Sequence, residues 1–525
     1  MKQLARIATT GCLGLLITTG AFAQDHPSSH AAGKLGSVHF ATSCTPTVAP
    51  TFDRSVALLH SFEFGAAVRG FQDVIAADPS CAIAWWGIAV STWTNPMTPN
   101  LRPPALLARG LEAVQSASRA TTASDRERGY IAAASQLYTD YQTRDQRTRV
   151  VAYEKAMEAL SAKFPADTEA KVFYAISLVA SAQPTDKTYA NQLKAGAMLE
   201  TLFAAKPEHP GLAHYIIHSY DVPALADRAE SAAKRYADIA PAAAHALHMP
   251  SHTFTRVGMW NQSVETNIRS REVALRDSSI AEALHASDYM TYAYLQMRRD
   301  SAAREVVRGL PAIAARFNPN VVSGAAPGSA GVFALAAIPA RYALERRAWK
   351  EAAALQPKTS VFPYTEALTH FARALGAAHI GDSTTARTSI DSLDAFRVRL
   401  SASGEAYWAE QVAIQRLGAM AWLDLSLGRR DRAIAEMREA VTREDATEKS
   451  AVTPGPLAPA HELLGDMLLE LKRPAEALAE YRESLKREPN RYRSLYGASR
   501  AAAAAGDRAA ESKYSRDLAL LTKAE

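Results

Sequence analysis

Six of the fourteen histidines fall between residues 209 and 252, where an even spread would put about one. The two segments read His209-Pro-Gly-Leu-Ala-His214-Tyr-Ile-Ile-His218 and His245-Ala-Leu-His248-Met-Pro-Ser-His252. His214 and His218 stand four apart, as do His248 and His252, so on a helix each pair stacks on one face. Pro207 and Pro241 are 34 residues apart, and His214 to His248 and His218 to His252 repeat that interval. Packed helices run about 8 to 10 Å apart, close enough for four opposed imidazoles to meet around one ion. Neutral imidazoles suit Zn, Cu, Ni or Fe far better than Mg or Ca. Tyr215, Tyr220, Asp221 and Ser251 are near enough in sequence to hydrogen-bond to such ligands. The same histidines would equally serve as half-buried groups bonded to one another, to backbone carbonyls or to a ligand carboxylate. Pro250 removes an amide between His248 and His252 and is expected to kink the second segment.

Two further acid–imidazole pairs at i, i+3 spacing, His60 with Glu63 and His285 with Asp288, have the makings of a general base or simply of a surface pair. Complete enzyme signatures are absent: there is no His-Glu-x-x-His, Cys-x-x-Cys or Gly-x-Ser-x-Gly, and no Gly-x-Gly-x-x-Gly followed by an acidic residue. Whether the chain is an enzyme stays open at this level. Basic and acidic residues are interspersed, and the net charge of +5 falls to about +3 without Lys2 and Arg6. Nucleic acid is therefore not an expected partner.

The elements that must position these side chains are helices. Alanine is abundant, aromatics are 8% and charged residues 22% of the chain, and 525 residues is long for one ordinary core, which directs attention to repeats. From Ala458 to Arg491, Gly465, Ala477, Tyr481, Ser484 and Pro489 occupy positions 8, 20, 24, 27 and 32 of a 34-residue period. Small residues at 8, 20 and 27 let two antiparallel helices approach, the aromatic fills the gap and the proline ends the second helix. Weaker copies are marked by Ala67, Phe71 and Pro79, then Trp85, Trp86 and Gly87, by Pro207, Ala229 and Pro241, and by Gly258, Trp260, Ser263 and Ser270. Helical hairpins are predicted over Ala340 to Leu355, Thr365 to Leu393 with a turn at Gly381, and Tyr407 to Val441 with Gly428 and Ala433.

This pattern resembles the tetratricopeptide repeat and implies an all-α, tetratricopeptide-type solenoid of antiparallel helix pairs. The resemblance also implies that repeat positions 2, 5 and 9 face a concave groove. His245 takes position 2, His214 and His248 position 5, and His218 and His252 position 9, while Glu462 takes position 5 of the last full unit. The stretches LLHSFEFGAAVRGFQDVIAADPSCAIAWWGIA, HPGLAHYIIHSYD, HALHMPSHTFTRVGMWN and TPGPLAPAHELLGDMLL are similar to a group of exported bacterial tetratricopeptide proteins. That likeness bears on fold and location and leaves activity open.

Lys2 and Arg6, the apolar run from Gly11 to Ile17 and the Ala21-Phe22-Ala23 triplet read as a signal peptide over 1–23, cleaved after Ala23, which implies a periplasmic or secreted protein. No later stretch is long and apolar enough to span a membrane. Cys44 and Cys81 remain after cleavage and are expected to form one disulfide. The expected organisation is a lead-in over 24–52, an array with the histidine cluster over 53–317, a Gly-rich loop over 318–331, central hairpins over 332–443, an acidic and Pro-rich connection over 444–457, and a final unit with capping helices over 458–525. The first functional expectation is a binding or scaffold protein whose groove holds a peptide, protein segment or small ligand. The alternative is a metalloprotein with His214, His218, His248 and His252 binding Zn, Cu or Fe and the Gly-rich loop as cover.

Overall fold

The computed structural model describes residues 33–120 and 122–523. The expected signal peptide over 1–23 and its cleavage point lie outside the described residues. Among those residues there is no β-strand; helices from Ala49–His60 to Arg508–Leu521 follow one another as antiparallel hairpins, each packed on the next. No described helix is long and apolar enough to cross a membrane.

The last full repeat shows why the small-residue pattern works. Tyr481 is fully buried between Gly465 and Gly497, where an added Cβ would lie 2.9 and 2.2 Å from its ring. Its hydroxyl donates to Asp466 at 2.6 Å. The lead-in is anchored rather than trailing from residue 33 on: Phe40 packs against Phe52, Trp86 and Tyr130, and Glu127, part of a capping box, accepts from the Ser43 amide and hydroxyl. Cys44 and Cys81 are joined. Closing that loop of 37 residues is worth about 3 to 4 kcal/mol on the chain-entropy account.

Two boundaries differ from the sequence reading. The helix Gly328–Glu345 takes in the last residues of the 318–331 loop, started by the turn in which the Ala330 amide bonds Pro327 O. The helix Arg430–Asp445 absorbs Glu444 and Asp445, so the irregular connection runs from 446 to 459.

The array curls until its first half meets its last. Asn100 donates to Tyr364, Lys187 to Glu448, and Trp260 Nε1 to Asn490 O. Gly258 makes the last contact possible: its φ is +71°, and a Cβ there would lie 2.4 Å from Pro489 O. The helix Ile280–Gln296 runs through the middle with all but one residue buried. Its inward residues recur at helical spacing: Glu282, His285, Tyr289, Tyr292 and Gln296.

The connection 446–459 crosses the concave side as a strap. Fully buried Arg341 forms an ion pair with Asp288 at 3.1 Å and donates to Gly455 O and Pro456 O, both at 3.2 Å. Tyr289 OH lies 3.2 Å from Thr453 O, and Lys449 lies 3.3 Å from Asp221. The strap's far end meets His461, held between Glu480 at 2.7 Å and Asp445 at 3.2 Å. Burial alone would lower its pKa, but the two carboxylates win and raise it to about 9. A pKa raised on folding adds stability that is full below the unfolded value of about 6.5 and is lost as pH rises through the folded one. The gap in urea midpoint between wild type and His461→Gln should therefore be largest at pH 6 and shrink towards pH 9.5; a gap that widens with pH would contradict the pairing.

Candidate functional site

Eight histidines gather in the interior: His60, His209, His214, His218, His245, His248, His252 and His285, each at most 6% exposed. Helix Pro210–Ser219 contributes His214 and His218, the short helices Ala244–His248 and Pro250–Arg256 contribute His245, His248 and His252, and the central helix contributes His285. Across Pro250, His248 and His252 meet edge to face, their planes 86° apart and their Nε2 atoms 3.1 Å apart.

The structure sorts the four proposed ligands into two trios, each offering donor atoms within 4.8 Å of one another: His214, His218 and His245, and next to them His248, His252 and His285. Ring centroids step from 5.0 Å for His214–His245 to 5.9 Å for His245–His248 and 4.5 Å for His248–His285. A third group, His60, Glu169 and His209, is internally satisfied at the carboxylate, which accepts from both rings at 2.8 Å.

Hydrogen bonds fix the tautomers. His214 Nδ1 is 2.6 Å from His60 O, an acceptor only, so it carries the proton. His245 Nδ1 donates to Glu282 at 3.0 Å and His252 Nδ1 to Asp221 at 2.9 Å. His248 Nδ1 meets Asn267 Oδ1 at 2.6 Å, and the amide's orientation is set by its Nδ2 donating to Ser263 O at 2.6 Å. His214 and His245 thus hold their proton on Nδ1 and turn an Nε2 lone pair inward, whereas the 3.1 Å contact between the His248 and His252 Nε2 atoms needs a proton on one of them. Among the described residues, Nε2 of His214, His218 and His245 finds no hydrogen-bond partner.

Burial, reinforced by neighbouring imidazoles, pushes the pKa of His214, His218, His248 and His285 well below the ordinary value. Burial lowers His252 too, against the pull of Asp221. Asp221 itself stays ionised: burial would raise it, but Lys449 and Arg256 hold it well down. At the other end Glu63 is pushed up to about 8 by burial and by the nearby Glu282.

Several sequence expectations change. The histidines at positions 2, 5 and 9 are buried rather than set on an open groove; the strap reaches Asp221 and Tyr289, which bond His252, and the central helix reaches His245 through Glu282. Glu462 is likewise buried, closing an ion pair with Arg491 at 2.8 Å and accepting from Ser494. His60 bonds Tyr215 and Glu169 rather than Glu63, and Asp288 serves Arg341 rather than His285. Of the proposed supporting residues, Asp221 and Tyr215 bond histidines, whereas Tyr220 donates to Glu200. Asn267 was not legible as a site residue because it faces His248 from the second helix of the same hairpin, and Glu282, Tyr289 and Lys449 because each reaches the cluster from further along the chain. The Gly-rich loop does cap one end, its Ala326 amide donating to Glu282 at 2.8 Å.

A cleft open to solvent lies beside the strap. Trp408, Gln411, Gln415 and Gly418 line it from successive turns of one helix, Ala406–Ser426, and Tyr364 stacks on Trp408 with centroids 3.9 Å apart. Arg256, Lys449 and Arg487 alternate around it with Glu444, Glu448 and Glu488.

A family model for the tetratricopeptide repeat matches residues 419–492 and, overlapping, 463–511. The chain carries tetratricopeptide repeats. The matched span holds Gly465, Ala477, Tyr481, Ser484 and Pro489 together with the strap and one wall of the cleft. No curated protein matches the sequence. Among solved structures, a human IFIT1 dimer with m7Gppp-AAAA is similar at 12% identity and a TM-score of 0.40, covering 84% of this chain and 90% of that one. The APC/C hetero-tetramer Cut9-Hcn1 is similar at 12% identity and a TM-score of 0.38, covering 86% and 76%.

Proposed function

We propose that this tetratricopeptide-repeat protein is a binding or scaffold protein that takes an extended peptide, as a segment of a partner protein, in the cleft beside the strap. The observation that carries this reading is a set of buried polar atoms at the cleft wall. Trp408 Nε1, Gln411 Nε2 and Gln415 Oε1 are buried and have no hydrogen-bond partner among the described residues, so a ligand reaches them once these side chains turn towards the cleft. Two donors and an acceptor spaced along one helix face match the alternating groups of a peptide main chain, and the Tyr364–Trp408 stack offers a flat apolar seat for a side chain. The alternation of acids and bases around the rim favours a peptide over a phosphate backbone. The Cys44–Cys81 bridge supports a periplasmic or secreted location.

The test is selection from a displayed peptide library on the full chain, followed by affinity measurement for the enriched peptides. Trp408→Ala should weaken them at least about tenfold, or about 1.4 kcal/mol, while Leu520→Ser, on an exposed distant helix, should leave them unchanged. No enrichment, or peptides indifferent to Trp408→Ala, would overturn the reading.

A further inference from the structure

The unpartnered nitrogens of the histidine cluster call for a different ligand, one that peptide binding in the cleft does not use. A buried ring nitrogen with no partner carries a desolvation cost that stable proteins rarely leave in place. Here three such atoms, Nε2 of His214, His218 and His245, belong to residues of two helices that each offer a ring nitrogen within 4.8 Å of the others. Their rings are oriented from behind: His214 Nδ1 is held by His60 O, and His245 Nδ1 by the Glu282 carboxylate. A backbone carbonyl or a carboxylate on the far nitrogen is the arrangement that fixes a metal-binding imidazole and raises its basicity. Phe62 closes another side, its ring 4.4 Å from His214 and 5.6 Å from both His218 and His245. Donor atoms within 4.8 Å of one another need only small side-chain rotations to reach the ~3.4 Å separation set by bonds of about 2.0 to 2.1 Å in a tetrahedral site.

Charge decides between the two trios. His248, His252 and His285 lie beside Asp221, whose carboxylate already faces two cations, Arg256 at 2.8 Å and Lys449 at 3.3 Å. Next to His214, His218 and His245 stands the buried Glu282 carboxylate, 3.0 Å from His245, with the Glu63 side chain beside it at Gly324. A dication placed at the first trio is offset by negative charge; at the second it meets an excess of positive charge. We propose that His214, His218 and His245 hold one divalent transition-metal ion of the zinc class through their Nε2 atoms. The 3.1 Å approach of the His248 and His252 Nε2 atoms makes that pair the competing position.

The full chain, expressed in zinc-supplemented medium and purified without an affinity tag, should carry one equivalent of zinc by elemental analysis. Growth with cobalt in place of zinc should give the visible ligand-field bands of a four-coordinate site. His245→Gln and, as a milder change at the edge of the trio, His218→Gln should each lower metal content at least tenfold while circular dichroism stays unchanged. His285→Gln should keep the full equivalent. Metal-free wild type would overturn the proposal, and so would metal that survives both His245→Gln and His218→Gln or that disappears with His285→Gln.

Discussion

Replacing Arg491 with methionine should cost about 3 to 5 kcal/mol or more of stability, the largest single effect expected in this chain. The guanidinium is 1% exposed and meets Glu462 and Glu345 at 2.8 Å, the Tyr292 hydroxyl at 2.9 Å and Glu488 at 3.5 Å. Burial already raises the Glu345 pKa to about 7 despite Arg491 beside it. Without the cation, the carboxylates that remain are pushed further up. A carboxylate whose folded pKa is raised binds more protons in the folded state than in the unfolded one, so stability falls as pH rises. The deficit in urea midpoint should accordingly be greater at pH 8 than at pH 5. Arg491→Lys, which keeps the charge but loses the fork that reaches two carboxylates, should fall between. A methionine variant within about 1 kcal/mol of wild type at pH 8 would show that these carboxylates do not depend on Arg491.

Arg341→Met is the second large effect, expected at about 3 to 5 kcal/mol, with a consequence for the strap that Arg491→Met lacks. Arg341 and Asp288 are both fully buried, and the same guanidinium ties down Thr453, Gly455 and Pro456. Its loss strands the Asp288 carboxylate, whose pKa burial already raises, and leaves Pro456 O without its donor and Gly455 O with only the Thr453 hydroxyl. Removing the acid as well, in Arg341→Met with Asp288→Leu, should recover part of the stability, since an apolar pair of similar volume replaces a buried ion pair at little cost. The strap should stay loose in that double variant. Amide exchange over 451–456 reads the two effects separately: fast in both variants, while the urea midpoint recovers only in the double one.

The repeat and its hairpins were legible because they rest on local spacing. Gly465, Ala477, Tyr481, Ser484 and Pro489 lie within one 34-residue unit, and the turns at Gly381 and Gly428 follow from left-handed backbone that glycine adopts freely. The histidine pairs were legible for the same reason, being four apart on short helices. Their grouping was not. His285 joins His248 from a separate hairpin, and His245 displaces the expected pairing of His214 with His248, because helix rotation and the break at Pro250 set which rings face each other. Glu462 read as a groove residue because its partner, Arg491, stands 29 residues away. The strap's path was out of reach altogether, since it depends on how far the whole array curls before Lys449 meets Asp221 and Gly455 meets Arg341.

Histidine footprinting addresses most directly the claim that the inner face is sealed by the strap while the cleft beside it stays open. Chelator-treated full-length protein would be exposed to diethyl pyrocarbonate and each imidazole followed by mass spectrometry, in wild type and in Arg341→Met. His39, whose side chain is 85% exposed, should react at once, whereas His214, His218, His245, His248, His252 and His285 should react only on the timescale of strap opening and at least tenfold faster in Arg341→Met. Prompt modification of His218 or His252 in the wild type would contradict the account and return these residues to an open groove.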